Sequence, residues 1–341
     1  MTAPLPAPAP APSLVAVTGA EGFIGSHLTE ALVAAGHRVR AMAQYNSFSS
    51  YGWLETLSAE TLGQVDIVLG DVRDPGSVDQ LVEGAEAVYH LAALIAIPYS
   101  YQAPHSYVDT NVTGTLNVLE AVRRQGTPRL VHTSTSETYG TAQTVPITED
   151  HPIRTQSPYA ASKAGGDRLA DSYHASFGTP VVTLRPFNTF GPRQSMRAVI
   201  PTVIGQVAAG ERTITLGDLR PTRDFLYVKD TARAFLAVGT APAEAVVGRT
   251  FNAGTGGEIS VGELTRLIGK LMDTDLDVRE DEERIRPAHS EVMRLVADAS
   301  RLRAATGWQP GYDLEQGLGH TIDFFRDPGN LSRYKTGIYN I

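Results

Sequence analysis

The sequence contains no cysteine, and this absence excludes several classes of protein at once. Without thiols there is no disulfide framework, no cysteine nucleophile and no cysteine-ligated metal. The nine histidines are scattered along the chain, and none forms a His-Glu-x-x-His or comparable pair. We therefore predict that the protein holds no metal.

Positive charge is also scarce, because 29 lysines and arginines face 37 acidic residues and leave a net charge of −8. Such a chain has no electrostatic reason to bind nucleic acid or an anionic membrane. Any anionic ligand must therefore meet positive charge that is arranged locally.

Long hydrophobic runs are missing as well. The longest apolar stretch, around 91–98, is too short to span a bilayer. The first residues lack the basic region and continuous apolar segment of a signal peptide. We expect a soluble, cytoplasmic protein, and 341 residues are enough for a large core and two lobes.

Glycine, in contrast, is present in a specific pattern near the start. Residues 1–13 alternate Pro and Ala and predict an extended, poorly ordered lead-in. A buried strand is expected from Leu14, and the motif Gly19-x-x-Gly22-x-x-Gly25 follows it, before a helix over about 23–35. Gly19 allows a tight turn, Gly22 lets the backbone approach a pyrophosphate, and Gly25 lets helix and strand pack closely. This arrangement indicates a dinucleotide-binding loop.

Apolar strand patterns alternate with helical ones through the first half of the chain. Strands are expected over about 38–43, 65–69, 87–91 and 181–184, and another begins at 130. Helices are expected over about 105–124 and from the region of Tyr159 and Lys163 to about 177. Such alternation predicts an α/β fold with a parallel, doubly wound sheet. We expect a dinucleotide-binding domain over 14–190 with returns near 224–254, a smaller substrate-binding lobe over most of 191–327, and a tail over 328–341 without a clear pattern.

The choice between NAD and NADP is not determined by the end of the second strand. An acidic residue there often binds the adenosine ribose, but Ala43 occupies the place, which holds neither a ribose-binding acid nor a phosphate-binding arginine. Asn46 or Ser47 could bond the ribose by default. Asp71, after the third strand, could accept from the adenine amino group or could simply form a turn. Ala92 and Ala93 give a floor of small residues for a cofactor.

Candidate catalytic groups follow the strand at 130. Thr135, Ser136 and Glu137 come directly after it, and Tyr159 and Lys163 lie four residues apart on one expected helix face. A nearby ammonium favours a phenolate and is expected to lower the pKa of Tyr159 toward neutrality. Taken singly, these segments would be turn formers and surface decoration. Together, downstream of a dinucleotide loop, they indicate an acid/base centre for an alcohol.

Arginines are concentrated after residue 185, in the expected second lobe, which suggests an anionic substrate, although most could be solvated surface. The acidic run over 273–283 is predicted to be a solvated loop.

The glycine motif, Thr135-Ser136-Glu137 and Tyr159-x-x-x-Lys163 resemble the extended short-chain dehydrogenase/reductase family, whose dinucleotide domain is a Rossmann fold. More narrowly, the segments 45–48, 91–100 and 185–194 resemble its nucleotide-sugar 4,6-dehydratases of the legionaminic-acid-pathway type. The similarity covers about residues 14–327. It implies an NAD-dependent homodimer, with NADP not excluded, that acts on a UDP- or GDP-linked N-acetylglucosamine-like sugar.

The resemblance also implies roles for individual residues. Tyr159 would take the 4-hydroxyl proton, Lys163 would lower its pKa and bond the nicotinamide ribose, Thr135 would hold the 4-hydroxyl, and Glu137 would remove the C5 proton. The implied cofactor contacts are Gly19, Gly22, Phe23, Ile24, Gly25, Asn46, Asp71, Val72, Leu91, Ala92, Ala93, Tyr159 and Lys163. The implied substrate contacts are Asn188, Arg193, Val199, Arg223, Arg286 and Glu291.

The identity of one catalytic group and three alternative functions stay open at this point. Dehydratases of the dTDP-glucose type carry an Asp, as general acid, where this chain has Ser136, so the acid that protonates the leaving hydroxyl is not identified. A UDP-glucuronate decarboxylase shares Thr-Ser-Glu, and a 4-epimerase shares Tyr159 and Lys163 but usually has a small neutral residue at the place of Glu137. From another class, a non-catalytic dinucleotide-binding regulator would tend to lose the Tyr/Lys pair.

Overall fold

A computed structural model describes residues 13–287 and 289–339. The expected lead-in lies, except for Ser13, outside these residues. The strands are β1 (Leu14–Thr18), β2 (Arg38–Gln44), β3 (Val65–Gly70), β4 (Ala87–His90), β5 (Leu130–Thr133), β6 (Val181–Pro186), β7 (Asn188–Phe190), β8 (Thr213–Leu216), β9 (Thr222–Arg223), β10 (Phe225–Tyr227), β11 (Thr250–Ala253), β12 (Ile259–Ser260), β13 (Asp277–Glu280) and β14 (Arg294–Leu295).

The helices alternate with these strands. They are α1 (Phe23–Ala34), α2 (Ala59–Leu62), α3 (Pro75–Val82), α4 (Ile97–Gln102), α5 (Pro104–Val108), α6 (Gly114–Gln125), α7 (Pro158–Phe177), α8 (Val199–Ala208), α9 (Val228–Thr240), α10 (Ala243–Val246), α11 (Val261–Leu271), α12 (Ser300–Thr306), α13 (Leu314–Arg326) and α14 (Pro328–Leu331). Short 3₁₀ turns cover Gly52–Thr56, Ser136–Tyr139 and Glu282–Arg284.

Seven strands form one parallel sheet in the order β3-β2-β1-β4-β5-β6-β11. One face is covered by α1 and α9 through side chains such as Leu28 and Phe235. The other face is covered by α3, α6 and α7 through residues such as Leu81 and Val118. The predicted α/β doubly wound sheet of the Rossmann type is therefore confirmed. The strand order reverses between β1 and β4, and ligands of such sheets bind in the crevice at that point.

The register aligns the carboxyl ends of the central strands. Thr18 is paired with His90, and His90 with His132, so that β1, β4 and β5 end side by side. The loops that leave these ends carry the glycine motif, the small-residue segment after β4, and the hydroxyl cluster after β5. Sequence positions more than a hundred residues apart thus meet at one edge of the sheet.

The helix expected over about 105–124 is interrupted. A single π-turn over Asp109–Thr113 joins α5 to α6. In this turn the Asn111 carboxamide accepts a hydrogen bond from the Leu94 amide and donates to the Leu94 carbonyl, both at 2.9 Å. A β-carbon at Gly114 would lie 2.9 Å from a Val72 methyl, so the next turn needs glycine to pack. The bulge thus positions Asn111 against the segment after β4.

The second half of the chain builds a further hydrophobic core, in which Ile204, Ile214, Leu264 and Phe325 are fully buried. The acidic run over 273–283 was predicted to be a solvated loop, and this is wrong in part because β13 pairs in parallel with β8. Most β13 side chains are nevertheless exposed.

The tail, for which no pattern was expected, begins with α14. It then packs Tyr334 against Trp53 and Phe325, with ring centroids at 5.9 and 4.8 Å. Among residues 13–287 and 289–339, no helix is long and apolar enough to cross a membrane.

Candidate active site

A cavity of about 900 Å³ opens at the carboxyl ends of β1, β4 and β5 and continues toward the second core. Its wall combines the glycine motif, the segment after β4, the hydroxyl cluster, α7 and residues from 186 to 291. Its size lies at the upper end of the range for ligand pockets.

The glycine motif forms the turn between β1 and α1. Gly19 has a φ of +66°, and a β-carbon there would lie 2.8 Å from the Ala92 nitrogen, so only glycine fits. A β-carbon on Gly25 would lie 2.0 Å from the Gly19 carbonyl oxygen. Gly22, Phe23, Ile24 and Gly25, at the start of α1, line the cavity. A helix N-terminus with free backbone amides suits a pyrophosphate.

The segment after β4 is held by the end of β1. The Thr18 hydroxyl accepts from the Leu91 and Ala92 amides, both at 3.0 Å, and hydrogen bonds to His90 at 2.8 Å. Leu91, Ala92 and Ala93 line the cavity, as do Asp71 and Val72 after β3. Asp71 is also paired with Arg73, whose Nε lies 3.0 Å from its carboxylate.

Three polar groups follow β5. Thr135 caps the 3₁₀ turn by accepting from the Glu137 amide at 3.2 Å. Ser136 is buried and Glu137 half-buried, and all three residues line the cavity. Thr135 and Glu137 both lie close enough to the phenol of Tyr159 to affect its pKa, which the Thr135 hydroxyl lowers and the Glu137 charge raises. The expected hydroxyl, phenol and carboxylate therefore meet in one place.

Tyr159 and Lys163 lie one turn apart on α7, and both are buried at the cavity wall. Burial raises the pKa of Tyr159, and the charge of Glu137 raises it further. The sequence predicts that Lys163 lowers this pKa, and for the protein alone the prediction is wrong because desolvation of the phenolate is the larger effect. Burial also lowers the pKa of Lys163 to about 8. An oxidised nicotinamide would bring positive charge to this site when bound.

A buried ionic network lies beneath these groups. The Asp167 carboxylate accepts from Ser134 at 2.7 Å and from Arg185 at 2.9 Å, and lies 3.1 Å from a ring nitrogen of His132. These bonds hold the pKa of Asp167 far below its usual value, although burial opposes them. Arg185 donates at 3.0 Å to Tyr139, the last residue of the 3₁₀ turn that carries Glu137. The network thus connects α7, β5 and β6 to the candidate catalytic turn.

The opposite wall of the cavity carries most of the expected substrate residues. Arg223 and Arg286 share the Glu291 carboxylate, with nitrogen–oxygen distances of 3.1 and 3.5 Å. Two guanidinium groups against one carboxylate leave an excess of positive charge, as an anionic ligand requires. Asn188 and Val199 also line this wall, and the buried Oδ1 of Asn188 has no hydrogen-bond partner in the protein.

Two expected contacts are not brought to the cavity wall. Asn46 instead organises its own loop, since its amide donates to the Ser50 carbonyl at 2.8 Å and its oxygen accepts from the Phe48 amide at 3.1 Å. Arg193 is paired with Glu30 of α1 by two bonds of 2.9 and 3.0 Å. Its pairing partner lies 163 residues earlier, so the substrate contact that the resemblance implies for Arg193 is not formed by the cavity wall.

Several lining residues are missing from the expected site contacts. Glu21 and Gln44 line the cavity beside the glycine motif, and Arg284 lines the opposite wall. Residues 336–339 of the tail also line it, and the Arg284 guanidinium lies 4.9 Å from the ring centroid of Tyr339. Glu21 lies inside the glycine motif, and a charged residue among the glycines is the one sequence signal that could have predicted its place at the cavity.

Among the residues that the structure describes, no group of three or more His, Asp or Glu side chains could hold a metal ion.

Comparisons with known proteins agree with this geometry. The family model for GDP-mannose 4,6 dehydratase matches residues 16–321. A dTDP-glucose 4,6-dehydratase of Xanthomonas campestris pv. campestris is 36% identical over 91% of this chain and 92% of its own. A UDP-glucose 4-epimerase of Mycolicibacterium smegmatis is 35% identical over 91% of this chain and 98% of its own.

Solved structures give the same result. A dTDP-glucose 4,6-dehydratase of Streptomyces venezuelae, solved with NAD bound, has a TM-score of 0.85 and 29% identity over 94% of this chain and 99% of its own. A UDP-N-acetylglucosamine 4-epimerase of Methanobrevibacter ruminantium has a TM-score of 0.82 and 31% identity over 92% of this chain and 98% of its own. The chain belongs to the NAD-dependent nucleotide-sugar 4,6-dehydratase and epimerase family of the extended short-chain dehydrogenases/reductases.

Proposed function

We propose that the protein is a 4,6-dehydratase that acts on a UDP- or GDP-linked N-acetylglucosamine-like sugar. The observation that carries this proposal is the carboxylate of Glu137 in the same cavity as Tyr159 and Thr135. A 4-epimerase needs the phenol and the hydroxyl but no base for C5. A carboxylate beside them is the group that an elimination requires.

The chain's own residues divide the reaction between them. Tyr159, as the phenolate and assisted by the Thr135 hydroxyl, takes the proton of the sugar's 4-hydroxyl. NAD, when bound, would supply the acceptor for the C4 hydride and the donor that returns it to C6. The ketone at C4 acidifies the C5 hydrogen, which Glu137 removes, and water leaves from C6. Asn188, Arg223 and Arg286 bind the diphosphate and nucleotide. Glu137, or the adjacent Ser136 hydroxyl, delivers a proton to the leaving group.

The decisive variant is Glu137→Gln, which keeps the shape of the side chain and removes its basicity. We expect it to complete the first hydride transfer and to lose elimination by about 10²- to 10⁴-fold, the usual contribution of a positioned base. Reduced cofactor should then accumulate, visible as nicotinamide absorbance, while little 4-keto-6-deoxy product forms. Glu60→Gln, on the exposed face of α2, is the matched control. Full turnover of Glu137→Gln would mean that the base is misassigned.

Mass spectrometry of a panel of nucleotide sugars separates the alternatives, and the panel includes dTDP-glucose because a similar protein acts on it by name. Loss of water supports the dehydratase, loss of carbon dioxide a decarboxylase, and an unchanged mass with inverted C4 an epimerase. In deuterium oxide a dehydratase should place solvent deuterium at C5.

We also propose a homodimer formed through α5, α6 and α7. Val108 of α5 and Ala161 of α7 are exposed, and Ala164 of α7 and Val112 of the π-turn are half-buried. A small, apolar surface of this kind suits close helix packing between copies.

We expect light scattering to give the mass of a dimer at micromolar concentration, because pairing removes the apolar surface of this face from water. Ala161→Arg should yield a monomer with unchanged helix content. Ala304→Arg, at an exposed position of α12, should leave the dimer intact. A monomeric wild-type protein would refute the proposal.

A further inference from the structure

The end of β2 lacks the acidic residue that commonly binds the adenosine ribose of NAD. Its last residue, Gln44, lines the cavity, and Asn46, the default candidate, is engaged within its own loop. A carboxylate nevertheless reaches this place from elsewhere in the chain. It belongs to Glu21, between Gly19 and Gly22 of the glycine motif.

Glu21 is fixed beside the end of β2 by several contacts. Its Oε1 accepts from the Gln44 amide at 3.0 Å. Its backbone carbonyl accepts from the Trp53 amide at 2.9 Å. A β-carbon on Gly52 would lie 2.7 Å from that same carbonyl oxygen, so the 3₁₀ turn packs tightly against Glu21. The position of the carboxylate is therefore set by β2 and by the loop that follows it.

The second carboxylate oxygen, Oε2, is buried and has no hydrogen-bond partner in the protein. A buried acceptor without a partner is costly, and an anionic one more so. Burial raises the pKa of Glu21, as expected for a carboxylate with too few donors around it. Because Glu21 lines the cavity, a ligand's hydroxyl group can supply the missing hydrogen bond.

We propose that Glu21 binds the adenosine ribose hydroxyls of NAD through Oε2 and excludes NADP. A carboxylate accepts from two neighbouring hydroxyls but repels a 2′-phosphate at the same point. The glycine motif would thus supply the acidic residue that β2 lacks. The inference depends on NAD binding by this family and is independent of which sugar reaction follows.

The test is the ratio of the NADP⁺ to the NAD⁺ dissociation constant, measured by calorimetry on the full-length chain after release of bound nucleotide. Wild type should prefer NAD⁺ by about 100-fold or more, and Glu21→Gln should lower that preference at least about 10-fold, as expected for a lost charged hydrogen bond. Glutamine can still accept from the Gln44 amide, so the loop keeps its anchor. The nucleotide retained on purification, identified by chromatography, gives a second readout without activity.

Glu55→Gln is the matched control, because the Glu55 carboxylate accepts from the Tyr51 amide at 2.7 Å in the same segment but does not line the cavity. It should leave the ratio unchanged. If Glu21→Gln weakens the binding of both cofactors equally or of neither, the carboxylate is only structural and the proposal fails.

Glu21→Asp keeps the charge on a shorter side chain and should weaken NAD⁺ binding. Should the glutamine variant not fold, an unchanged NAD⁺ affinity of Glu21→Asp overturns the proposal.

Discussion

Tyr159→Phe is expected to abolish even the first hydride transfer, with turnover reduced by about 10²- to 10⁴-fold or more. The phenolate of Tyr159 is the proposed acceptor of the 4-hydroxyl proton, and the hydride cannot leave C4 unless that proton leaves too. Rapid mixing of the variant with substrate should show no rise in nicotinamide absorbance. This separates it from Glu137→Gln, which should show the rise and then stop.

The control for this variant lies on the same helix. The Tyr173 phenol donates a hydrogen bond to the Glu120 carboxylate, and neither residue lines the cavity. Tyr173→Phe should retain nearly full turnover, and both variants should retain bound nucleotide, measured after denaturation. A Tyr159→Phe protein that works within about threefold of wild type would rule out the phenol as the base.

The second large effect concerns stability. Asp167→Asn removes the charge that neutralises the buried guanidinium of Arg185, whose Nη2 lies 2.9 Å from the carboxylate. Breaking one partner of a buried ion pair costs about 3–5 kcal/mol, because the other charge stays buried without compensation. We expect the free energy of unfolding, from urea titration, to fall by that amount. Arg185→Met in the same chain should restore part of it, since no unpaired charge then remains.

Helix α7 provides the matched control. Asp171 pairs with Arg168 at 2.9 Å, with both side chains more than half exposed. Exposed pairs contribute little, so Asp171→Asn should cost less than about 1 kcal/mol. Equal losses from Asp167→Asn and Asp171→Asn would show that burial of the first pair is not what makes it important.

The features that the sequence predicted correctly depend on local spacing. The turn at Gly19 requires a residue without a β-carbon. Any helix brings residues four apart, such as Tyr159 and Lys163, to one face, wherever the helix lies in the fold. The sheet was predictable because strands of this kind must be buried on both faces.

What the sequence could not predict depends on partners far along the chain. The family resemblance implied a substrate contact for Arg193, yet its guanidinium is paired with Glu30, 163 residues earlier in the chain. The pKa of Tyr159 was misjudged because the spacing to Lys163 is visible in the sequence and the burial of the phenol is not. The tail carries no pattern, but aromatic packing against Trp53 brings its residues 336–339 to the cavity.

Trp53 also gives the protein a natural optical reporter. The chain has only two tryptophans, and the other, Trp308, is buried with its indole nitrogen bonded to the Asp230 carbonyl at 3.1 Å. Trp53 lies instead between the glycine motif, through its amide, and the rings of Phe324 and Tyr334. Its fluorescence therefore reports on the junction of the dinucleotide loop and the tail, and energy transfer to a reduced nicotinamide can be followed without any attached dye.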